Sequence, residues 1–131
     1  MLSRTSKLIL AVALVAGSLA IAAPAATAAP TYTVKAKAGD RWGPGLTHAA
    51  KPGAKVIIKW KNPTSRRHDV KSVNTGKNWS MARKNLRPNN RNIVQRTFKK
   101  TGRYWFRCTI HSAWVGGKWT GMVGQIHVFR T

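Results

Sequence analysis

Short runs of alternating apolar and polar residues fill the chain from residue 31 onward. From Thr31 to Ala36, the side chains of Tyr32, Val34 and Ala36 fall on one face. The stretch Val56 to Trp60 is apolar and rich in β-branched residues, which is typical of a central strand. No stretch repeats its apolar residues at the helical period of about 3.6. The pattern therefore predicts an all-β fold.

The final third of the chain shows the same alternation more clearly. Tyr104, Phe106 and Cys108 point to one side of a predicted strand, and Ile126 and Val128 point inward from a predicted last strand. With these and the earlier runs, we predict a Greek-key β-sandwich of about seven or eight strands.

Stretches rich in turn residues separate the predicted strands. Residues 39–45 form a Gly- and Pro-rich loop, and Pro52-Gly53 marks the next turn. The polar stretch Asn74 to Asn92 is predicted to be a long loop, with one helical turn around Met81.

The first 28 residues have the composition of a secretory signal peptide. Arg4 and Lys7 precede the uncharged run Leu8 to Ala23, and Ala26-Thr27-Ala28 supplies small residues for cleavage. The run of 16 residues is shorter than the roughly 20 that span a bilayer, although a retained anchor is the alternative. We predict a signal peptide over 1–28 and one domain over 29–131, secreted to the periplasm or cell surface, with no transmembrane span after cleavage.

The charge balance is strongly basic. The chain has 24 Lys and Arg residues against two acids, Asp40 and Asp69. Most of the cations therefore are either solvated or face an anionic partner. Acidic proteins, cell-wall polymers, anionic lipid and nucleic acid all qualify, and a purely solubilising surface is the alternative. No nucleic-acid motif accompanies the charge, so nucleic acid ranks low among the partners.

Cys108 is the single cysteine of the chain. A lone cysteine in an oxidising compartment has no internal disulfide partner, which leaves an inert thiol, an intermolecular bridge, a nucleophile or a metal ligand. Cys108 ends a predicted strand, and His111 follows three residues later in a predicted loop. Met122 lies before the predicted last strand, and His68 follows a predicted core strand. One thiolate, two imidazoles and a weak axial thioether make a copper electron-transfer site, whereas a thioether is a poor zinc ligand.

Each of these residues also has a plain structural alternative. His68 can be a histidine of the core or of a turn, Cys108 can be a buried inert residue, and Met122 can be packing. Met81 is interpreted as packing. His48 is interpreted as a surface residue, with a second metal site as the alternative.

The ordered set of motifs resembles the cupredoxins, in particular the plastocyanin- and azurin-like copper domains. The resemblance runs from about Thr31 to Thr131. It is carried by His68-Asp69-Val70 after a core strand, by Gly102 to Cys108 (GRYWFRC), by the Cys-x2-His spacing, and by Gly121 to Val128 (GMVGQIHV). It implies one type 1 copper, with His68 as the upstream imidazole, Cys108 as the thiolate, His111 as the exposed imidazole and Met122 as the axial ligand.

Two features depart from this family pattern. Ten residues, Ser112 to Gly121, separate the second histidine from the methionine, which is longer than the family commonly has. This insertion suggests that Trp114 and Trp119 lie over or beside the metal loop. Asp69 also stands where the family commonly has an asparagine, and a carboxylate accepts hydrogen bonds but does not donate them.

The resemblance implies a monomeric electron carrier that cycles between Cu(I) and Cu(II) and is not an enzyme. The basic surface would dock an acidic redox protein or lie on an anionic envelope surface. Copper storage or delivery, and a cationic binding module for anionic polymers, remain as alternatives. A Cys-His hydrolase is disfavoured because the sequence offers no evident acid to orient the histidine.

Overall fold

The computed structural model describes residues 27–50, 55–73 and 79–131, and these three stretches contain β-strands and no helix. The strands in chain order are β1 (Thr31–Lys37), β2 (Arg41–Gly43), β3 (Leu46–Ala50), β4 (Val56–Lys61), β5 (His68–Ser72), β6 (Lys84–Leu86), β7 (Ile93–Phe98), β8 (Gly102–Val115) and β9 (Lys118–Phe129). Within the described stretches, no helix has the length and apolar character needed to cross a membrane. The predicted signal peptide lies almost wholly outside the described residues.

The strands form two sheets. One has the order β2-β1-β4-β7, and the other has the order β3-β9-β8-β5-β6. Strand β1 runs parallel to β4 and β3 runs parallel to β9, while the remaining pairs are antiparallel. Strand β4 lies between β1 and β7, and its alternate residues Val56, Ile58 and Trp60 are buried. The prediction of an all-β sandwich is confirmed.

Aromatic side chains from both sheets meet in the core. The ring of Phe106 on β8 lies 5.3 Å from that of Trp42 on β2 and 5.4 Å from that of Trp60 on β4. Trp60 and Phe106 are fully buried, as are Val34 and Ile126. The alternation in the sequence therefore identifies the inward faces of β1, β8 and β9 correctly.

The structure has nine strands in its described part, rather than seven or eight, because two short strands lie in stretches predicted as loops. Strand β2 pairs with the end of β1, and β6 pairs with the start of β5. Strands of three residues are too short to show a period of two, so the sequence gives no signal for them. The Pro52-Gly53 turn falls on undescribed residues.

The helical turn predicted around Met81 is absent from the described residues 79–83. Met81 is buried and lies alongside Ser72 instead. Its backbone N–H donates to Ser72 Oγ at 3.0 Å, and its carbonyl accepts from Ser72 N at 3.2 Å. These contacts to β5 replace the hydrogen bonds that a helical turn would make.

The inserted residues between the second histidine and the methionine form a β-hairpin. Residues 112–115 of β8 pair with 118–121 of β9, and Gly116 and Gly117 make the turn with φ of 56° and 76°. Two consecutive left-handed residues suit a tight hairpin, and glycine adopts them without steric cost. The expectation that Cys108 ends a strand, that His111 lies in a loop and that Met122 precedes the last strand is therefore wrong, because β8 and β9 run continuously through all three.

Candidate metal centre

Three donor atoms converge at one end of the sandwich. Nδ1 of His68 lies 3.1 Å from Nδ1 of His111, and Cys108 Sγ lies 3.9 Å and 3.5 Å from these two atoms. A metal ion bonded to nitrogen and sulfur at about 2.0–2.3 Å holds its donors roughly 3–4 Å apart. The three predicted residues are thus spaced as ligands of one ion. Among the described residues they are the one group of this kind.

Strands β5 and β8 hold the three donor residues in place. His68 opens β5 and is buried, while Cys108 lies inside β8 with no exposed surface. The backbone N–H of Asp69 points at Cys108 Sγ, 3.4 Å away. His111 lies on the same strand as Cys108 and is only partly exposed.

A break in the β8–β9 ladder brings His111 back toward Cys108. Regular pairing stops at Arg107↔Val123 and resumes at Ser112↔Gly121. Four residues of β8, from Cys108 to His111, therefore stand opposite Met122 alone. Such a bulge bends the strand and re-aims its side chains, so that both ligands of the Cys-x2-His segment turn to the same point.

Gly121 permits this close approach of the two strands. Its φ is +84°, and a Cβ at this position would collide with the carbonyl oxygen of His111. A larger residue would push the hairpin away from the bulge.

The break also shows where Met122 lies. Counting on from the last regular pair places Met122 opposite Cys108, and both residues are fully buried. Its carbonyl accepts a hydrogen bond from the Trp42 indole at 3.1 Å, which fixes the backbone at this point. The hairpin folds outward, so the ten-residue insertion leaves Met122 next to the bulge.

Asp69 joins the two ligand segments. Its carboxylate is fully buried and accepts hydrogen bonds from the backbone N–H of Thr109 (2.5 Å) and from the Thr109 hydroxyl. Arg83 Nε lies 2.7 Å from the same carboxylate and compensates its charge. As expected from the sequence, Asp69 acts as a hydrogen-bond acceptor. It directly follows His68, and Thr109 directly follows Cys108, so these hydrogen bonds join the two ligand segments.

The loop before His68 is fixed by another buried polar side chain. The Asn62 amide donates to the carbonyls of Arg66 (2.8 Å) and Leu86 (3.1 Å) and accepts from Thr64. A buried amide with its hydrogen bonds satisfied holds a single loop conformation.

Burial favours the neutral forms of His68 and Cys108. It lowers the pKa of His68, with a further contribution from His111, and it raises the pKa of the Cys108 thiol, opposed by backbone N–H groups that point at the sulfur. A neutral imidazole has the lone pair that a metal requires. The Cys108 thiol, by contrast, must lose its proton to bind a metal, and a bound cation stabilises the thiolate that results.

The two ring nitrogens of His68 have different surroundings. Its Nε2 is buried and has no hydrogen-bond partner among the described residues, while its Nδ1 faces the other two donors. The set of one thiolate and two imidazoles fits one copper ion, for which soft and borderline donors are suited.

Asp40 and Arg66 lie at the outer edge of the site, and the sequence reasoning did not assign them to it. Arg66 forms an ion pair with Asp40, and its other terminal nitrogen lies 3.3 Å from His111 Nε2. Asp40 Oδ1 lies 3.7 Å from the same nitrogen. The sequence offers one signal for Asp40: it is one of only two acidic residues in the chain, and it lies in a predicted loop.

The hairpin is attached to the site by Arg107. The guanidinium lies 3.6 Å from the centroid of the Trp119 ring, and it donates to Ser112 Oγ at 3.0 Å. Ser112 Oγ donates in turn to the carbonyl of Cys108 at 2.6 Å. Trp114 packs on Trp119 but is 60% exposed. Trp119 therefore contacts the residue before Cys108, as the expectation for the metal loop requires, whereas Trp114 contacts Trp119.

The remaining histidines lie outside this cluster. His48 on β3 is exposed, as expected, and it pairs in register with His127 on β9. Their rings form an aromatic contact with a centroid separation of 5.8 Å.

No protein-family model matches the chain, and no curated protein sequence matches it. Solved structures do match. A purple cupredoxin from Nitrosopumilus maritimus aligns with a TM-score of 0.53 at 18% identity, over 74% of this chain and 98% of that chain. The chain has the cupredoxin fold.

Two further solved structures are similar to this cupredoxin fold. An amicyanin variant in its reduced Cu(I) form has a TM-score of 0.56 at 19% identity, over 81% of this chain and 87% of that one. A copper-containing nitrite reductase from Thermus scotoductus has a TM-score of 0.60 at 20% identity, over 86% of this chain. The chain spans only 25% of the length of that reductase.

Proposed function

We propose that this protein is an electron carrier that acts outside the cytoplasm and holds one type 1 copper. The convergence of His68 Nδ1, Cys108 Sγ and His111 Nδ1 supports this proposal most directly. Met122 would be the axial ligand, and its position next to the last regular pair, Arg107↔Val123, supports this role. Copper bound there would supply a one-electron couple between Cu(I) and Cu(II).

The protein's own residues would keep the donor positions nearly constant in both oxidation states. Cys108 is fixed inside a long strand, and Asp69 holds the following residue through two hydrogen bonds. Because the ligands belong to β5, β8 and β9, which are neighbours in one sheet, little has to move when an electron arrives or leaves. A rigid site of this kind favours fast electron exchange over substrate turnover, and we therefore propose a carrier and not an enzyme.

The surface near His111 suits a transient partner. Ile110, Trp114 and Val115 are exposed and apolar, and they lie on the strand segment that carries His111. Both acids of the chain are already engaged by arginines, so most of the remaining cations have no carboxylate within the chain to pair with. An acidic redox protein would complement this surface, giving fast and salt-sensitive association.

The visible spectrum of the purified protein with Cu(II) tests the proposal. A thiolate bound to Cu(II) gives an intense charge-transfer band, and Cys108→Ser should abolish it. Met81→Leu serves as the control because Met81 is equally buried but packs beside Ser72. Copper binding without colour, equal in the unchanged protein and in Cys108→Ser, would refute the copper site. A coloured protein that gives up its metal to chelators within seconds, and exchanges no electrons, would refute the carrier role in favour of copper delivery.

A further inference from the structure

The two ring nitrogens of His111 face different surroundings. Nδ1 points into the cluster toward His68 and Cys108, and Nε2 points outward to Arg66 and Asp40. Asp40 lies in the turn after β1, with a left-handed φ of 48°. Both acids of this strongly basic chain thus lie next to the donor cluster, Asp69 on the Cys108 side and Asp40 on the His111 side.

Hydrogen-bond chemistry assigns the proton of His111 in the metal-free protein. A guanidinium only donates, so the contact from Arg66 requires a lone pair on His111 Nε2. The proton is then on Nδ1, where it donates to His68 Nδ1 at 3.1 Å. His68 must accept there and carry its own proton on Nε2, the buried nitrogen without a partner. His68 therefore already presents the lone pair that a metal needs, whereas His111 does not.

A metal at the cluster requires the lone pair of His111 Nδ1, and the proton must then be on Nε2. That N–H would face the guanidinium of Arg66, and this contact is unfavourable because both groups are hydrogen-bond donors. It would also face Asp40 Oδ1, which is free to accept because Arg66 binds the other carboxylate oxygen. The 3.7 Å separation can close to a hydrogen bond with a small rotation of the carboxylate.

We propose that Asp40 and Arg66 are positioning residues that exchange the hydrogen bond on His111 Nε2 when copper binds at Nδ1. In the metal-free protein Arg66 holds the ring. In the loaded protein Asp40 orients the ring and makes the imidazole a stronger donor, while Arg66 limits this effect by sharing the carboxylate. The inference rests on the proposed copper site and adds two residues that set its affinity and potential.

The pair should act on the two oxidation states unequally. A carboxylate bound to a ligating imidazole strengthens its donation, and losing such a partner typically costs about 10–100-fold in metal affinity. Cu(II) is the harder and more highly charged ion, so it should lose more than Cu(I) in Asp40→Asn. A tenfold difference between the two losses corresponds to about 59 mV of higher potential. Arg66→Gln should lower the potential, because it releases the carboxylate entirely to His111.

Matched controls separate this contact from the general field of the protein. Thr101→Lys changes the net charge by the same amount and sign as Asp40→Asn, and Arg130→Gln matches Arg66→Gln. Residues 101 and 130 lie near the end of the β8–β9 ladder that contains the pair Gly102↔Val128, away from Met122. Both controls should leave the potential and both copper affinities nearly unchanged.

Nitrogen-15 NMR of His111 completes the test, with Zn(II) and Cu(I) as diamagnetic probes. We expect the proton on Nδ1 in the metal-free protein and on Nε2 after loading, with slower solvent exchange in the unchanged protein than in Asp40→Asn. A metal-free protein that already carries the proton on Nε2 would overturn the inference, as would equal potentials in Asp40→Asn and Thr101→Lys. A proton shift with Zn(II) in a protein that shows no thiolate band with Cu(II) would instead refute the proposed function and leave this inference standing.

Discussion

Cys108 and Met122 adjoin Arg107↔Val123, the last regular pair before the β8–β9 ladder breaks off. Both side chains are fully buried. On the sequence, thirteen positions and a long insertion separate these residues, and the insertion is what places the axial role of Met122 in question. The hairpin removes that difficulty, because the inserted residues pair with one another and extend away from the break.

Met122→Leu should keep copper bound and coloured while raising the potential. Loss of a weak thioether donor destabilises the oxidised ion more than the reduced one. We expect a shift on the order of 60 mV, equal to a tenfold change in the ratio of the two affinities. Cyclic voltammetry measures it, with Met81→Leu as the control. An unchanged spectrum and potential would mean that Met122 is packing.

Asp69→Ala should destabilise the fold as well as the site. The carboxylate accepts two hydrogen bonds from Thr109 and is fully buried, and hydrogen bonds to charged groups are worth about 1.5–3 kcal/mol each. We expect a loss of about 3 kcal/mol in the free energy of unfolding, measured by urea denaturation of the metal-free protein.

Two variants calibrate the Asp69 result. Asp69→Asn keeps an acceptor for Thr109 N–H and should lose less stability than Asp69→Ala. Arg83→Gln should also lower the stability, because it leaves the buried Asp69 carboxylate without its compensating charge. Equal stability of Asp69→Ala and the unchanged protein would show that the link between the two ligand segments is dispensable.

Shortening the hairpin should leave the metal site intact. Replacement of residues 113–120 by Asn-Gly keeps Ser112, Gly121 and the tight turn, and it removes both tryptophans of the Trp114↔Trp119 pair. The thiolate band should persist, since the ligands lie outside the replaced residues. Electron transfer to a partner should slow if the exposed tryptophan takes part in docking. Loss of colour would show that the hairpin itself holds the ligand segment in place.

Salt should slow electron transfer to an acidic partner without altering the spectrum. The charges act through a field that is screened over about 8 Å at physiological ionic strength, whereas ligation is short-range. Lys118→Glu, at the hairpin end of β9, should slow the reaction more than Lys100→Glu, in the turn before β8. Stopped-flow rates over a salt series measure both. Equal effects would mean that the charge acts over the whole surface, and no salt dependence would remove the docking role.

The sequence by itself determined the sandwich and the three residues that converge in the donor cluster. Alternation in Tyr32–Ala36 and in Tyr104–Cys108 fixes the inward faces of these strands, because burial on a pleated strand imposes a period of two. The donor types of His68, Cys108 and His111 indicate a metal through chemistry that does not depend on the path of the chain. These inferences need only local pattern and residue type.

Only the tertiary structure decided how the distant parts meet. The break in the β8–β9 ladder, the outward hairpin and the position of Met122 depend on strand register, which is set by pairing between residues far apart in sequence. Asp40 and Arg66 reach His111 from two separate turns, and no local pattern marks such a contact. The packing of the sheets brings Asp40, Arg66 and His111 together. Their contacts are therefore visible only in the folded chain.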